Sequence, residues 1–328
     1  MQLHPTCRVL DSTKIKQYME CPRRFFFRYV LGWDVDLPNH HLAYGTCLHR
    51  GLATLMCNGL NDDGLASAIA VFQDEYKKLY PNFIDLEEEH APKNLSNGVR
   101  LLYRYVQNYQ FRDHFDVLHV EVAGSVPVSE EPPRELYFRL DTVCSENGKV
   151  FSLEHKPTSY MPSSWAEQWQ LDVQIFAYIH ALHYHFHEEA PVSGVVVNGM
   201  TICNPSKVKK DGELYANARD IEFVRVTVDK SYDMLESWLW DLNEAIDDLE
   251  WDFECLANCK EGDDRLECFP RRSTHCVNKY GTCPFLALCS AWPNPLQRCA
   301  EPPTGFRVEW WDPRDVLKEA KETWKGEN

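Results

Sequence analysis

The sequence predicts an α/β fold, a central mixed β-sheet flanked by helices, from three observations. First, Leu136, Phe138 and Leu140 alternate with Tyr137, Arg139 and Asp141, the period of a half-buried strand. Asn147-Gly148 follows, the pair most at ease with the positive φ of a two-residue hairpin turn, and Val150–Lys156 returns as a second strand. Second, Val117–Val128 alternates ahead of this hairpin as a further strand. Third, stretches on either side carry apolar residues at helical spacing, including Asp63–Tyr80, Leu95–Phe111 and Ser231–Trp251.

The hairpin turn sets a register. With Asn147-Gly148 as the loop, Glu146 faces Lys149, and counting back places Asp141 opposite Glu154. The period of two puts Glu154 and Lys156 on one face and His155 on the other. Facing carboxylates stand with Cβ atoms about 5 Å apart and repel each other. A hard divalent cation such as Mg²⁺ or Mn²⁺ removes that repulsion. Lys156 adds a point charge suited to orienting a water or a phosphate oxygen. The competing reading is a surface hairpin with a solvated acid pair and a lysine.

The other elements follow in order. Asp11 and Ser12 cap a helix carrying Ile15, Tyr18 and Met19, which stops near Cys21-Pro22. Arg23–Trp33 reads as an aromatic-basic helix whose Phe25–Phe27 pack in the core and whose Arg23, Arg24 and Arg28 form a local basic patch. Ala43–Ala53, which contains His49, reads as a loop entering a helix, and residues 83–94 as a charged loop. Glu121 falls within the first strand, on its exposed face. Ser163 or Ser164 begins a long helix with Trp165, Trp169, Ile175, Phe176, Ile179 and Leu182 buried and Gln170, Gln174 and Tyr178 as one stripe. His180, His183, His185 and His187 read as surface residues. Val192–Asn204 and Asp220–Val228 read as strands joined by a Lys/Gly-rich turn at 207–213. After Cys299 come a Pro-rich stretch and a loosely attached charged helix.

The expected organisation is an N-terminal helical region over 1–116, the sheet core over 117–251, a cysteine-rich tail over 252–299 and an extension over 300–328. A chain of 328 residues, 44% hydrophobic, has ample material for a sizeable core. No apolar run is long enough to span a bilayer, and the N-terminus has no apolar export segment, so a cytoplasmic protein is expected.

Thirteen cysteines, an odd count without an export signal, favour metal ligation over a disulfide framework. Cys276, Cys283 and Cys289, with proline after Cys283, read as ligands of a metal or cluster. Cys268 rivals Cys276, Cys255 and Cys259 form a separate pair, and zinc on four thiolates stays open. Cys7, Cys47, Cys57, Cys144, Cys203 and Cys299 read as unligated thiols. A net charge of −16 speaks against nucleic acid as a partner overall. Local patches rather than total charge steer such partners, however, and the acids cluster at 85–89, 247–254 and 261–264.

Taken together, Ser12 through Cys21-Pro-Arg-Arg-Phe-Phe-Phe27, Gly45…His49, Asp141, Glu154-His155-Lys156, Gln174…Tyr178 and Cys283…Cys289 resemble the RecB-like branch of the PD-(D/E)XK nuclease superfamily. That branch includes AddB-type, CRISPR-associated and phage exonucleases. The resemblance runs from Ser12 to Cys289, and Phe138 stands where relatives usually carry glycine. It implies a restriction-endonuclease-like core. It also implies Mg²⁺ or Mn²⁺ held by His49, Asp141, Glu154 and the backbone carbonyl of His155, with Glu121 as an additional acid. Lys156, supported by Gln174 and Tyr178, would position or activate water. Cys21, Cys276, Cys283 and Cys289 would hold a structural 4Fe–4S cluster that clamps the two ends of the chain together. The implied substrate is DNA, single-stranded or with an end, degraded in recombination, repair or phage DNA processing. Recombination or CRISPR-adaptation proteins are the implied partners, self-association is left open, and a phage-encoded protein would act in the host cytoplasm. The alternative is a catalytically silent Fe–S or zinc module binding DNA or a recombination partner.

Overall fold

The computed structural model describes residues 2–37, 39–186, 188–205, 220–278, 281–320 and 322–324. In chain order the elements are β1 (Leu10–Asp11), α1 (Ser12–Glu20), α2 (Pro22–Phe25), a π-helical turn Phe26–Val30, β2 (Trp33–Val35), α3 (His40–Asn58), α4 (Asp62–Leu79) and α5 (Leu95–Tyr109). Then come β3 (Asp116–Ser129), β4 (Arg134–Glu146), β5 (Lys149–Thr158), α6 (Val173–Phe186), β6 (Val192–Thr201), β7 (Phe223–Val228) and α7 (Tyr232–Asn258). The tail adds β8 (Val277–Asn278), β9 (Gly281–Thr282), α8 (Leu286–Ala291), β10 (Phe306–Val308), α9 (Asp315–Glu319) and β11 (Glu322–Trp324).

Side-chain caps start the helices. Asp11 accepts from the Lys14 amide at 2.8 Å, and Asn39, Asn61, Asn94 and Ser231 do the same work for α3, α4, α5 and α7. The sheet has seven strands in the order β11-β3-β4-β5-β6-β7, with β1 on β4. It is mixed: β11, β1 and β6 join in parallel, while the remaining neighbours are antiparallel. The hairpin register is the one the turn dictates, from Glu146↔Lys149 to Thr142↔Leu153. Two buried clusters sandwich the sheet. One unites α1, α2, α6 and α7 with the tail residues Cys268, Phe269 and Phe285, and the other comprises α3, α4 and α5.

Several local expectations are corrected. Residues 43–53 are not a loop, because α3 runs unbroken from His40 and absorbs Gly45. The helix after β5 begins at Val173, not near Ser163: Asp172 caps it, accepting from the amides of Gln174 at 2.9 Å and Ile175 at 3.3 Å. Trp165, Trp169 and Gln170 therefore lie outside α6, and Gln170 leaves the stripe to accept from Lys230 at 3.3 Å. Two of the three arginines of the expected basic patch are engaged within the fold, while Arg24 stays partly exposed beside Glu20. Arg23 is 2% exposed and donates to the carbonyl of Phe269 at 2.9 Å, while Arg28 donates to that of Glu309 at 2.7 Å. His180, His183 and His185 are half-buried rather than surface residues, His180 bonding the Pro127 carbonyl at 2.9 Å. His187 and the 207–213 turn lie outside the described residues.

The C-terminal extension is anchored rather than loose. β10 pairs with β2, Trp310 stacks on His4 at 4.2 Å, and β11 extends the sheet beside β3. Phe138 finds space because its cross-strand partner is Gly124, where any Cβ would stand 2.9 Å from the phenyl ring.

Candidate active site

The hairpin strands part where the functional residues begin. Pairing of β4 with β5 stops at Thr142↔Leu153, one step before Asp141 and Glu154. Beyond that point β5 stays in the sheet through β6, from Glu154↔Val197 to Thr158↔Thr201. The edge that β4 frees is taken by β1, at Leu136 and Tyr137. The fork leaves the His155 amide without a partner on β4, and Asp141 Oδ2 accepts it at 2.8 Å. The other Asp141 oxygen lies 3.2 Å from His49 Nδ1, which α3 brings in from one layer.

The opposite layer supplies α6. Lys156 Nζ bonds Glu154 Oε1 and Gln174 Oε1, each at 2.7 Å, and Gln174 Nε2 donates to the Tyr178 hydroxyl at 2.7 Å. The ammonium also sits 5.7 Å from the centre of the Trp169 ring. Glu154 and Lys156 thus share a face as the strand period requires. The His155 side chain points the other way, with its ring against Tyr105 and Nδ1 3.2 Å from the Asn198 amide nitrogen. Glu154 Oε2 is buried with no hydrogen-bond partner.

Glu121 joins the same cleft, contrary to the exposed position its strand period implied. It is 6% exposed, carries φ of 56° in mid-strand and is ion-paired with Arg139. Left-handed backbone in a glutamate is strained, and such strain concentrates at functional sites. It coincides with a break in the ladder, where Val120↔Thr142 and Val122↔Leu140 flank Glu121 and Asp141.

Burial and mutual charge set the protonation states. Burial raises the Glu154 carboxyl to about 7, the Asp141 charge adding to the effect and Lys156 opposing it. Burial also disfavours ionised Asp141, but the His49 charge and hydrogen bond prevail and hold its carboxyl well below the ordinary range. His49 and Lys156 are likewise penalised by burial, yet each is raised by its carboxylate, Asp141 and Glu154 respectively. Burial drives His155 down to about 3, so its ring is neutral. The two acids are split into one firm anion and one carboxyl that holds its proton to neutrality.

These groups line a cleft of about 560 Å³. A carboxylate pair with one orphaned oxygen, a histidine and a backbone carbonyl suits a hard divalent cation. No ready-made cage exists: among the described residues, no group of three or more His, Cys, Asp or Glu side chains is placed to hold a metal ion. Asp141 and Glu154 are instead turned onto His49, the His155 amide and Lys156, bonds that ligation would have to exchange.

A second cavity, of about 180 Å³, is lined by Cys21, Cys276, Cys283 and Cys289. The turn holding Cys276 and Cys283 is fixed by the Cys283 amide donating to the Cys276 carbonyl at 2.8 Å. Burial comes first in raising Cys289, to about 11, with Cys21 and Cys283 adding to it. Cys268 lies apart from this cavity, its sulfur 3.9 Å from that of Cys259. None of the thirteen cysteines forms a disulfide.

Sequence reasoning missed three contributors. Asp172 positions Gln174 as its cap and receives Lys16 at 2.7 Å, and an acid before an apolar helical run was a readable signal. Trp311 and Val316 line the cleft from the far end of the chain, and nothing in local sequence marks them.

The family model described as PD-(D/E)XK nuclease superfamily matches residues 12–290. Among solved structures, the crystal structure of SSO0001 is similar at 11% identity, with 66% of this chain and 90% of that chain covered. Its TM-score of 0.26 is too low to bear on the fold. No curated protein matches the chain.

Proposed function

This chain belongs to the PD-(D/E)XK nuclease superfamily, and from that premise we propose that it is a Mg²⁺- or Mn²⁺-dependent deoxyribonuclease acting from DNA ends. The observation that carries the reading is the fork. There Asp141, Glu154 and Lys156 converge with one buried Glu154 oxygen left unpartnered. Asp141, Glu154, the His155 carbonyl and His49 would hold the cation. When bound, it lowers the pKa of a water and offsets charge on the scissile phosphate.

The chain's own groups do the rest. The His155 amide and His49 hold both Asp141 oxygens in the metal-free protein, and cation binding would exchange at least one of these bonds. Lys156, fully protonated, orients the attacking water or a phosphate oxygen. Gln174 holds Lys156 and is in turn held by Tyr178, which restricts the ammonium to one position. Asp172 and Lys16 anchor the start of α6, which carries that support.

Digestion of end-labelled DNA tests this reading. Cleavage should require Mn²⁺ or Mg²⁺, stop in EDTA and be absent in Glu154→Gln. Cleavage that persists in EDTA would refute it. Tight DNA binding with no cleavage under any metal would favour a silent DNA-binding module instead.

We further propose that Cys21, Cys276, Cys283 and Cys289 hold a 4Fe–4S cluster, a structural clamp between α1–α2 and the tail. The support is that four thiols from distant segments line one cavity, beside core residues that already join those segments. Anaerobically purified protein should be brown with roughly four irons per chain. A colourless protein with one zinc would replace the cluster with a four-thiolate zinc site. The biological setting that fits is recombination, repair or phage DNA processing.

A further inference from the structure

One wall of the catalytic cleft comes from outside the region matched by the family. The matched region ends at residue 290, yet Trp311, Pro313 and Val316 line the cleft with His49, Asp141 and Glu154. This wall is held on both sides. Before it, β10 pairs with β2 and the Glu309 amide donates to the Gly32 carbonyl at 2.7 Å. After it, β11 enters the sheet beside β3. Within it, Arg314 closes onto Asp312 at 2.7 Å.

Trp311 itself is 39% exposed, a large area for an aromatic side chain on a fixed segment. Its indole Nε1 donates to Asp11 Oδ2 at 3.1 Å, the same carboxylate whose other oxygen caps α1. The ring is therefore tethered by its polar edge to Asp11, which also lines the cleft. Such a tether fixes orientation without covering the π faces. The remaining lining mixes charged and polar side chains with Tyr137, Phe138 and Tyr178. Aromatic faces in such grooves stack unpaired bases, whatever their identity.

We propose that Trp311 is a stacking platform for an unpaired base of the DNA strand entering the cleft. The inference rests on the nuclease reading and adds a substrate form to it. Trp311 positions substrate and takes no part in bond cleavage.

The test measures binding, in the Glu154→Gln background so that no strand is cut, with a fluorescent single-stranded oligonucleotide and a blunt duplex of the same sequence. Adding Trp311→Ala should weaken single-strand binding about tenfold, within the range of a lost stack. Adding Trp311→Phe, which keeps a π face but also loses the Asp11 bond, should stay within about threefold. Because no charge is removed, the dependence of affinity on salt should keep its slope. Duplex binding should not change. The inference is overturned if Trp311→Ala binds single strands like its parent, if Trp311→Phe loses as much as Trp311→Ala, if duplex binding falls in step, or if the parent binds no single strand. Cleavage by wild-type protein is scored separately: cleavage with any of these results sinks the stacking role alone, whereas absence of metal-dependent cleavage sinks the nuclease reading.

Discussion

Neutralising either acid of the fork should abolish cleavage, but the two changes should move stability in opposite directions. In metal-free protein Glu154 is raised from the ordinary 4.5 to about 7, with burial the first cause and Asp141 the second. At about 1.4 kcal/mol per tenfold, keeping it ionised costs roughly 3 kcal/mol. A glutamine removes that penalty and still offers Lys156 a carbonyl, giving back about 1–2 kcal/mol for the weaker bond. The net expectation for Glu154→Gln at about pH 8 is a gain of roughly 1–2 kcal/mol, a rise of a few degrees in Tm. A carboxyl with a raised folded-state pKa binds its proton more tightly when folded. Its penalty is thus absent below pH 4.5, grows up to pH 7 and is complete above. Asp141 is the reverse case, held below its ordinary value by His49 and the His155 amide, so its contribution is present above pH 3.8 and lost in acid. Asp141→Asn forfeits a charge-assisted contact and should lose about 2 kcal/mol at pH 8. Thermal melts in EDTA at about pH 5 and about pH 8 read both effects. The reasoning fails if both variants shift in the same direction at pH 8, or if the Glu154→Gln gain does not grow with pH.

Other expectations follow from the packing and the fork. Lys156→Ala should be inactive while still binding Mn²⁺, which isothermal titration against the parent would show. His155→Ala keeps the amide that holds Asp141 and should act through packing, lowering Tm more than single-turnover cleavage. Arg23→Ala removes a buried guanidinium bonded to the Phe269 carbonyl, so it should cost about 2–3 kcal/mol without changing the salt slope of DNA binding. Cys21→Ala or Cys289→Ala should strip bound metal and lower Tm, whereas substitution of the exposed Cys57 should do neither.

The site was legible where local geometry dictates it. The Asn147-Gly148 turn fixes the hairpin count as far as Thr142↔Leu153, one step short of Asp141 and Glu154, and the strand period sends the His155 ring to the other face. Gln174 and Tyr178 were readable as an i, i+4 pair, though the start of their helix was not. Asp172 outcompetes the serines as cap because only it precedes an uninterrupted helical run. Long-range packing hid the rest. The fork exists because β1, far away in sequence, takes the edge that β5 leaves. Glu121 defeats the period-2 rule because one left-handed residue turns it into the cleft. Arg23 reads as a surface cation until the tail's carbonyls of Phe269 and Leu266 accept from it, and Gly45 reads as a break until a capped 19-residue helix overrides its propensity. Trp311 lies outside the motif-bearing region and became visible only when β10 and β11 returned the chain to the cleft.

The central claim is that the fork binds the catalytic cation through Asp141 and Glu154, and anomalous diffraction from Mn²⁺-soaked crystals tests it most directly. A single strong peak should lie within about 2–2.5 Å of one oxygen of each carboxylate. It should vanish in Glu154→Gln crystals soaked alike. A peak bonded to neither carboxylate, or one that survives that substitution unchanged, would contradict the claim.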